Sequence, residues 1–253
     1  MQIQITHRNQ QYSTDTTQGQ SLAFTLRPNS PENPNCYYAE APENAVIRAG
    51  NFVGSVTEGG TVNYTRLSLT PHGNGTHTEC YGHISPAPDA TLDRCLQEFM
   101  FVAELVSLQP VQRENGDWVV LLKDLQKALQ HQTNAIIIRT LPNDLDKNTR
   151  AYSGTNPAYL EENTGLWLAE QGVEHLLLDL PSVDREEDAG RLAVHHGFWQ
   201  YPAATRTQAT ITELIFVPDA LPDGLYWLHL QVPRLATDAA PSQPVIYPLK
   251  PVQ

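Results

Sequence analysis

The sequence predicts the α/β class, a mixed sheet with helical cover. Three observations carry this. NAIIIRT and VEHLLLDL are short runs rich in apolar residues, as in strands buried on both faces. Each follows a helix candidate: WVVLLKDLQKALQ, with three- and four-residue apolar spacing, before the first, and NPAYLEENTGLWLAEQG, with cap and stop residues, before the second. Two neighbouring helix–strand units imply a partly parallel sheet, and the β-branched and aromatic segments TITELIFV, LYWLHLQV and PVIYPL make the final third strand-rich.

Taken in order, the chain opens on the alternating MQIQITH and a second strand candidate, SLAFTLR, before the turn-rich RPNSPENPN. Between Ala45 and Thr70, short polar and apolar pieces alternate; Gly59-Gly60 suits a tight turn and NYTRLSLT a strand. Pro71 ends that strand, since it offers no ladder donor. HGNGTHTECYGHI holds three glycines and three histidines, a composition that suits a loop or turn better than a regular interior element. MFVAELVSL is the next strand. WVVLLKDLQKALQ reads as a helix or a short strand feeding one. In NPAYLEENTGLWLAEQG, Asn156 is a candidate cap, Pro157 the first helical position and Gly172 the stop. REEDAGRLAVHH reads as helical, and NGDW and TDAAPSQP as surface loops. With no repeat, heptad or low-complexity tail, one α/β domain over residues 1–253 is expected.

Lys+Arg 16 against Asp+Glu 28 give a net charge of −12, which speaks against a nonspecific grip on nucleic acid. Hydrophobic residues at 40% exclude wholesale disorder. No stretch approaches the roughly 20 apolar residues that cross a bilayer. Cys36, Cys80 and Cys95 form no CxxC pair and suggest buried thiols or a reducing compartment. The opening MQIQITHRNQQYS lacks the basic and apolar regions of a secretory signal. A cytoplasmic protein without nucleic-acid or membrane partners is expected.

Five of the nine histidines fall into two groups, His72, His77 and His83, then His195 and His196. Imidazole binds first-row metals and carboxylates can bridge two ions. Glu79 lies two residues beyond His77, so in an extended segment both face one side and address one ion. The competing reading is a glycine-rich surface turn that happens to contain histidine. Asp179, Ser182 and Asp184 stand at the end of an apolar run, where α/β folds carry ligand sites. A carboxylate there could fix a metal-bound histidine or bind a polar substrate, while Ser182 or Asp184 could equally cap the following helix. Glu213, among apolar strand neighbours, needs a partner if buried. His195 and His196 diverge as adjacent residues, so one ligates while the other packs.

These residues also have a family look. GNGTHTECYGH resembles the His-x-Gly-Thr-His-x-Asp-x-Pro-x-His signature of the metal-dependent cyclase family, which includes bacterial kynurenine formamidases and isatin hydrolases. The similarity continues in family order through GTNPAYLEENTGLWLAEQGVEHLLLDLPSVD, AVHHGFW and ITELIFVPDALPDGLYWLHLQV. The resemblance implies a swivelling β/β/α fold, a homodimer or homotetramer, one or two zinc or manganese ions, and hydrolysis of a small amide substrate, a formamide or a lactam. It places His77 at the second metal histidine, Glu79 at the usually bridging Asp and His83 at the catalytic histidine. His195 matches the later metal histidine, with His196 one position away, and Glu213 the later metal carboxylate. Asp184 matches an acidic position of structural support.

The departures from the signature are equally specific. Gly73 sits where the first metal histidine belongs, with His72 immediately before it, and a one-residue move can reverse a side chain's direction. Cys80 and Tyr81 precede Gly82, so the proline is missing. In an alternating strand Cys80 points away from His77 and Glu79, as a buried thiol. A Cys80–His83 nucleophilic pair is the rival chemistry. WQYPAATRTQA lengthens the connection between His195 and Glu213. The expected activity is a metal-dependent amide hydrolase in which His83 shuttles the proton. The alternative is a noncatalytic relative that binds a small ligand or serves in assembly.

Overall fold

The computed structural model describes residues 1–252. Its centre is a nine-stranded sheet made of β1 (Gln20–Ser21), β2 (His77–Cys80), β3 (Met100–Leu108), β4 (Ala135–Thr140), β5 (His175–Leu178), β6 (Thr210–Glu213), β7 (Gly224–Gln231), β8 (Ala239–Pro241) and β9 (Gln243–Pro248). Their spatial order is β8-β2-β6-β5-β4-β3-β7-β9-β1. The middle four, β6, β5, β4 and β3, run parallel, and the strands outside them pair antiparallel. All residues of β4 and β5 are buried, which is why these segments can be apolar without alternation. Alternate residues feed two cores: Ile137, Leu177 and Leu105 on one face, Ile136, Ile138, Leu176 and Leu178 on the other.

Four short helices, α1 (Leu92–Cys95), α2 (Leu122–Ala128), α3 (Thr164–Glu170) and α4 (Ala193–Trp199), accompany the sheet. α2, α3 and α4 cover the second core through Leu125, Leu168, Val194, Phe198 and Trp199. α3 and α4 cross at two glycines. A Cβ on Gly165 would lie 2.1 Å from the Val194 carbonyl oxygen, and one on Gly197 2.8 Å from the Leu166 nitrogen. Backbone-to-backbone contact is open only to glycine here, and it fixes where α4 presents its histidines. No helix among the described residues is long and apolar enough to cross a membrane.

Several sequence expectations shift in place. WVVLLKDLQKALQ divides into a strand, Trp118–Val120, and α2. The helix expected from Asn156 starts only at Thr164, because Tyr159–Leu160 pairs in parallel with the Trp118–Val120 strand. Asn156 takes a φ of +49° and gives its side-chain amide to Asp117 instead of capping. Gly172, with a φ of +78°, does follow the helix end. In REEDAGRLAVHH only the part from Ala193 is helical. The histidine-rich stretch is turn only at its ends, Pro71–Gly73 and Tyr81–Ile84; between them His77–Cys80 is a fully buried strand, second from the sheet edge. TDAAPSQP is not a surface loop either, since it supplies β8, the edge strand paired with β2.

His175, at the start of β5, carries a pH dependence remote from any site. Its ring lies 3.8 Å from that of Phe101 and its Nδ1 meets the Thr210 hydroxyl at 2.9 Å. Burial, with Arg206 adding to it, pushes its pKa down to about 3. The unfolded chain, at an ordinary histidine value of about 6.5, binds a proton that the folded chain refuses, so this contribution is full above that value and is lost as pH falls toward 3. At pH 5 the loss is about 2 kcal/mol. Urea unfolding at pH 7 and pH 5 should show a stability change about 2 kcal/mol less favourable in the parent than in His175→Gln, and equal changes would remove the assignment.

Candidate metal centre

The site is assembled on the seam between β2 and β6. Antiparallel register sets His77 opposite Glu213, and the two-residue strand period places Glu79 on the same face as His77. β6 ends directly after Glu213, where Leu214 adopts a φ of +52°. α4 brings His195 in from the covering layer. Asp184 holds that end of the helix by accepting from the Val194 and His195 backbone N–H groups, at 2.9 and 3.1 Å. The fourth contribution is the tight turn Pro71–Gly73, tied down by Cys36, whose N–H donates to the Gly73 carbonyl and whose thiol reaches the His72 carbonyl at 3.2 Å.

His77 donates from Nδ1 to the Gly75 carbonyl at 2.9 Å, and because a carbonyl only accepts, this fixes the tautomer and leaves the Nε2 lone pair free. Nε2 is buried without a hydrogen-bond partner, 3.4 Å from Glu213 Oε2. His195 is held the same way: Nδ1 bonds Asp184 Oδ2 at 2.7 Å and Nε2 faces Glu79 Oε1 at 3.2 Å. Glu213 Oε1 accepts from the Val183 N–H at 2.9 Å. Glu79 Oε2 lies 3.1 Å from His72 Nδ1, yet it is unpaired because the two atoms are not aligned as donor and acceptor. Close approach without alignment is what ligands aimed at a common third atom would show. One donor atom each from His72, His77 and Glu79 lies within 4.8 Å of the other two, and the same holds for Glu79, His83 and His195.

Electrostatics point the same way. Burial opposes charge on His195, but the Asp184 and Glu79 carboxylates outweigh it and pull its pKa up to about 10. Burial likewise opposes a charged Glu79; His83, His195 and His72 hold its carboxyl well below the usual range nonetheless. Buried imidazole and carboxylate donors in one cluster, two of their atoms unpaired, fit a first-row divalent cation.

A Cyclase family model matches residues 4–185 of the chain. The chain belongs to the cyclase family. Its fold is that of a predicted metal-dependent hydrolase from Bacillus stearothermophilus, with 16% identity, a TM-score of 0.62, and 90% of this chain and 97% of that one covered. Isatin hydrolase A from Ralstonia solanacearum superposes with a TM-score of 0.63 at 16% identity, covering 90% and 91%. Isatin hydrolase A from Labrenzia aggregata, bound to benzyl benzoate, does so at 0.62 and 14%, covering 90% and 93%. These likenesses establish the mixed β/β/α architecture. No curated protein matches the chain.

Within this cyclase-family chain, His72, His77, Glu79, His195 and Glu213 converge, and His83 stands exposed at their edge, its Nδ1 3.7 Å from Glu79 Oε2. His196 does not join them; its Nδ1 faces the Tyr201 carbonyl at 3.1 Å, so of the adjacent pair only His195 reaches the cluster. Asp179 is also elsewhere. It is buried against Lys147 at 2.8 Å and accepts from the Thr140 N–H and hydroxyl, bracing two parallel strand ends. Ser182 accepts from the Asp184 N–H and caps no helix. Cys80 points into the opposite core, where the Cys95 thiol and burial hold its own thiol up and out of reach of His83 chemistry.

Gly73 has a physical reason. A Cβ there would lie 2.3 Å from the Ala39 methyl and 3.1 Å from the Cys36 carbonyl oxygen, so no side chain fits at the family's histidine position. His72 is not turned backwards, because the segment is a 3₁₀ turn, in which a one-residue step rotates a side chain by about 120° and not 180°. The residue the sequence reading missed is Asp238, which bonds His72 Nε2 at 2.8 Å from 166 positions away.

Proposed function

We propose that this chain is a metal-dependent hydrolase of small amides, acting on a formamide or cyclic amide in the manner of kynurenine formamidase and isatin hydrolase. The observation that carries the reading is a linked set of donors, His77 Nε2 3.4 Å from Glu213 Oε2, Glu213 Oε1 3.9 Å from His195 Nε2 and His195 Nε2 3.2 Å from Glu79 Oε1, with His77 Nε2 and Glu79 Oε2 buried and unpaired. Those four residues, with His72 beside Glu79, would hold zinc or manganese, one ion or two. The cation would supply Lewis acidity toward the substrate carbonyl and the attacking water.

The remaining work falls to the chain. Asp184 keeps the His195 ring oriented and its Nε2 inward. His83 is the most exposed histidine of the cluster, its side chain 30% accessible against 25% for His72, and its ring lies 5.3 Å from that of His195; it would take a proton from water and pass it to the departing nitrogen. Relatives of the fold described as a metal-dependent hydrolase and as isatin hydrolases support the assignment. A cytoplasmic homodimer or homotetramer of one integrated domain completes the proposal. A second reading, a noncatalytic ligand-binding or assembly protein, draws on Gly73 and on Glu79, one methylene longer than the family's Asp.

Metal removal decides between them. Turnover of N-formyl aromatic amines and lactams should fall by about two orders of magnitude or more in chelator-treated protein, and return with zinc or manganese. Unchanged turnover by metal-free protein would overturn the hydrolase mechanism; bound metal with no turnover on either substrate class would favour the second reading.

A further inference from the structure

Three histidines in the cluster share one device. Each has one ring nitrogen engaged by a fixed acceptor and the other facing Glu79 or Glu213. For His77 the acceptor is the Gly75 carbonyl and for His195 the Asp184 carboxylate, both engaging Nδ1 and leaving Nε2 inward. For His72 the arrangement is inverted: Asp238 Oδ2 engages Nε2 at 2.8 Å and Nδ1 is the inward atom, 3.1 Å from Glu79 Oε2. We infer that His72 joins the metal centre through Nδ1, and that Asp238 is the positioning residue that holds its ring in that orientation.

The inversion follows from the backbone. With no room for a side chain at position 73, the only imidazole available on this turn is one residue earlier and approaches from another direction. From there the ring offers its nearer nitrogen, Nδ1, to Glu79, while Nε2 projects outward and must be met from elsewhere. β8 meets it. The Asp238 carbonyl accepts from the Cys80 N–H at 3.0 Å, locking the residue just before β8 to the end of β2, and its carboxylate reaches back over the turn. A carboxylate on the outer nitrogen fixes both the tautomer and the ring plane of a ligating histidine and raises its basicity. His83 lies against the same ring, 4.4 Å between centroids, and its Nδ1 is 3.7 Å from Asp238 Oδ2. One carboxylate therefore orients the extra ligand and borders the group placed for proton transfer.

This inference rests on the metal-centre reading above, and the experiment separates the two. Zinc is titrated into full-length protein labelled with ¹⁵N-histidine, with long-range ¹H–¹⁵N correlation spectra to show which ring nitrogen binds and chelator competition to give affinity. The expected spectrum has two histidines coordinated through Nε2 and one through Nδ1, the latter missing in His72→Gln. Asp238→Ala should weaken zinc binding about 10- to 100-fold and disperse the Nδ1 signal, with Asp238→Asn, which keeps an acceptor oxygen, losing less. Coordination of His72 through Nε2 would put the ion at the outer His72–His83–Asp238 group and overturn the inference. So would a His72 ring unmoved by zinc, or wild-type zinc affinity in Asp238→Ala. No zinc uptake by the wild type would sink the metal-centre reading itself, and this inference with it.

Discussion

Glu79→Gln is expected to abolish stable metal binding. Glu79 is the one carboxylate facing both His72 Nδ1 and His195 Nε2, and it is fully buried. The exchange keeps shape and removes the charge. Loss of an outer partner of a ligand lowers metal affinity about 10- to 100-fold, and loss of the central anionic ligand should exceed that range. The metal-free protein should also lose stability, by about 3 kcal/mol. That is the low end of the roughly 3–5 kcal/mol for breaking a buried charge pair, because the amide oxygen still accepts and the imidazoles can shed their protons. Metal content by mass spectrometry and urea unfolding of the chelated protein check the two effects separately. Full metal occupancy in the Glu79→Gln variant would remove Glu79 from the centre.

The second large effect belongs to His83, and it should split the other way. His83→Ala is expected to reduce turnover on an amide substrate about 10²- to 10⁴-fold, the usual contribution of a positioned acid–base group. Metal content and unfolding midpoint should stay near wild type, since the ring is exposed and its Nδ1 stands 3.7 Å from its nearest carboxylates. Turnover falling only in proportion to metal content would make His83 a ligand and not a proton carrier.

How much of this was readable from the chain alone depended on the range of the interaction. The pairing of His77 with Glu79 was legible because strand periodicity is local and needs no knowledge of the partner. Glu213 stood out as a charge within a strand, and its true partner is the residue opposite in register. Asp238 was not legible: it sits in a polar, proline-containing stretch, and nothing in that stretch announces a pairing with a distant strand, as the register of Ala239 with Glu79 shows. Asp179 misled for the converse reason. A strand end gives a position but not a direction, and the cation that claims this carboxylate, Lys147, lies in an otherwise ordinary turn. The buried strand through the histidines was hidden by its own glycines, which flank it and do not interrupt it. At Gly73 the sequence shows only an absent histidine, and the Ala39 methyl beside it is what shows that a side chain has no room there.

The seam between β2 and β6 has one more consequence. It is where the parallel centre of the sheet meets an antiparallel edge, and His77 and Glu213 face each other across it. On the proposed ligand set, an ion there acts as a rivet through two strands that otherwise meet only by four residue pairs. Its binding free energy then belongs to the cohesion of that edge, about 2.7 kcal/mol when free metal stands at roughly a hundred times its dissociation constant. Strands β2 and β8, and with them Asp238, would hold more or less firmly as the ion supply rises or falls, so the margin of the sheet reads out the metal available to it.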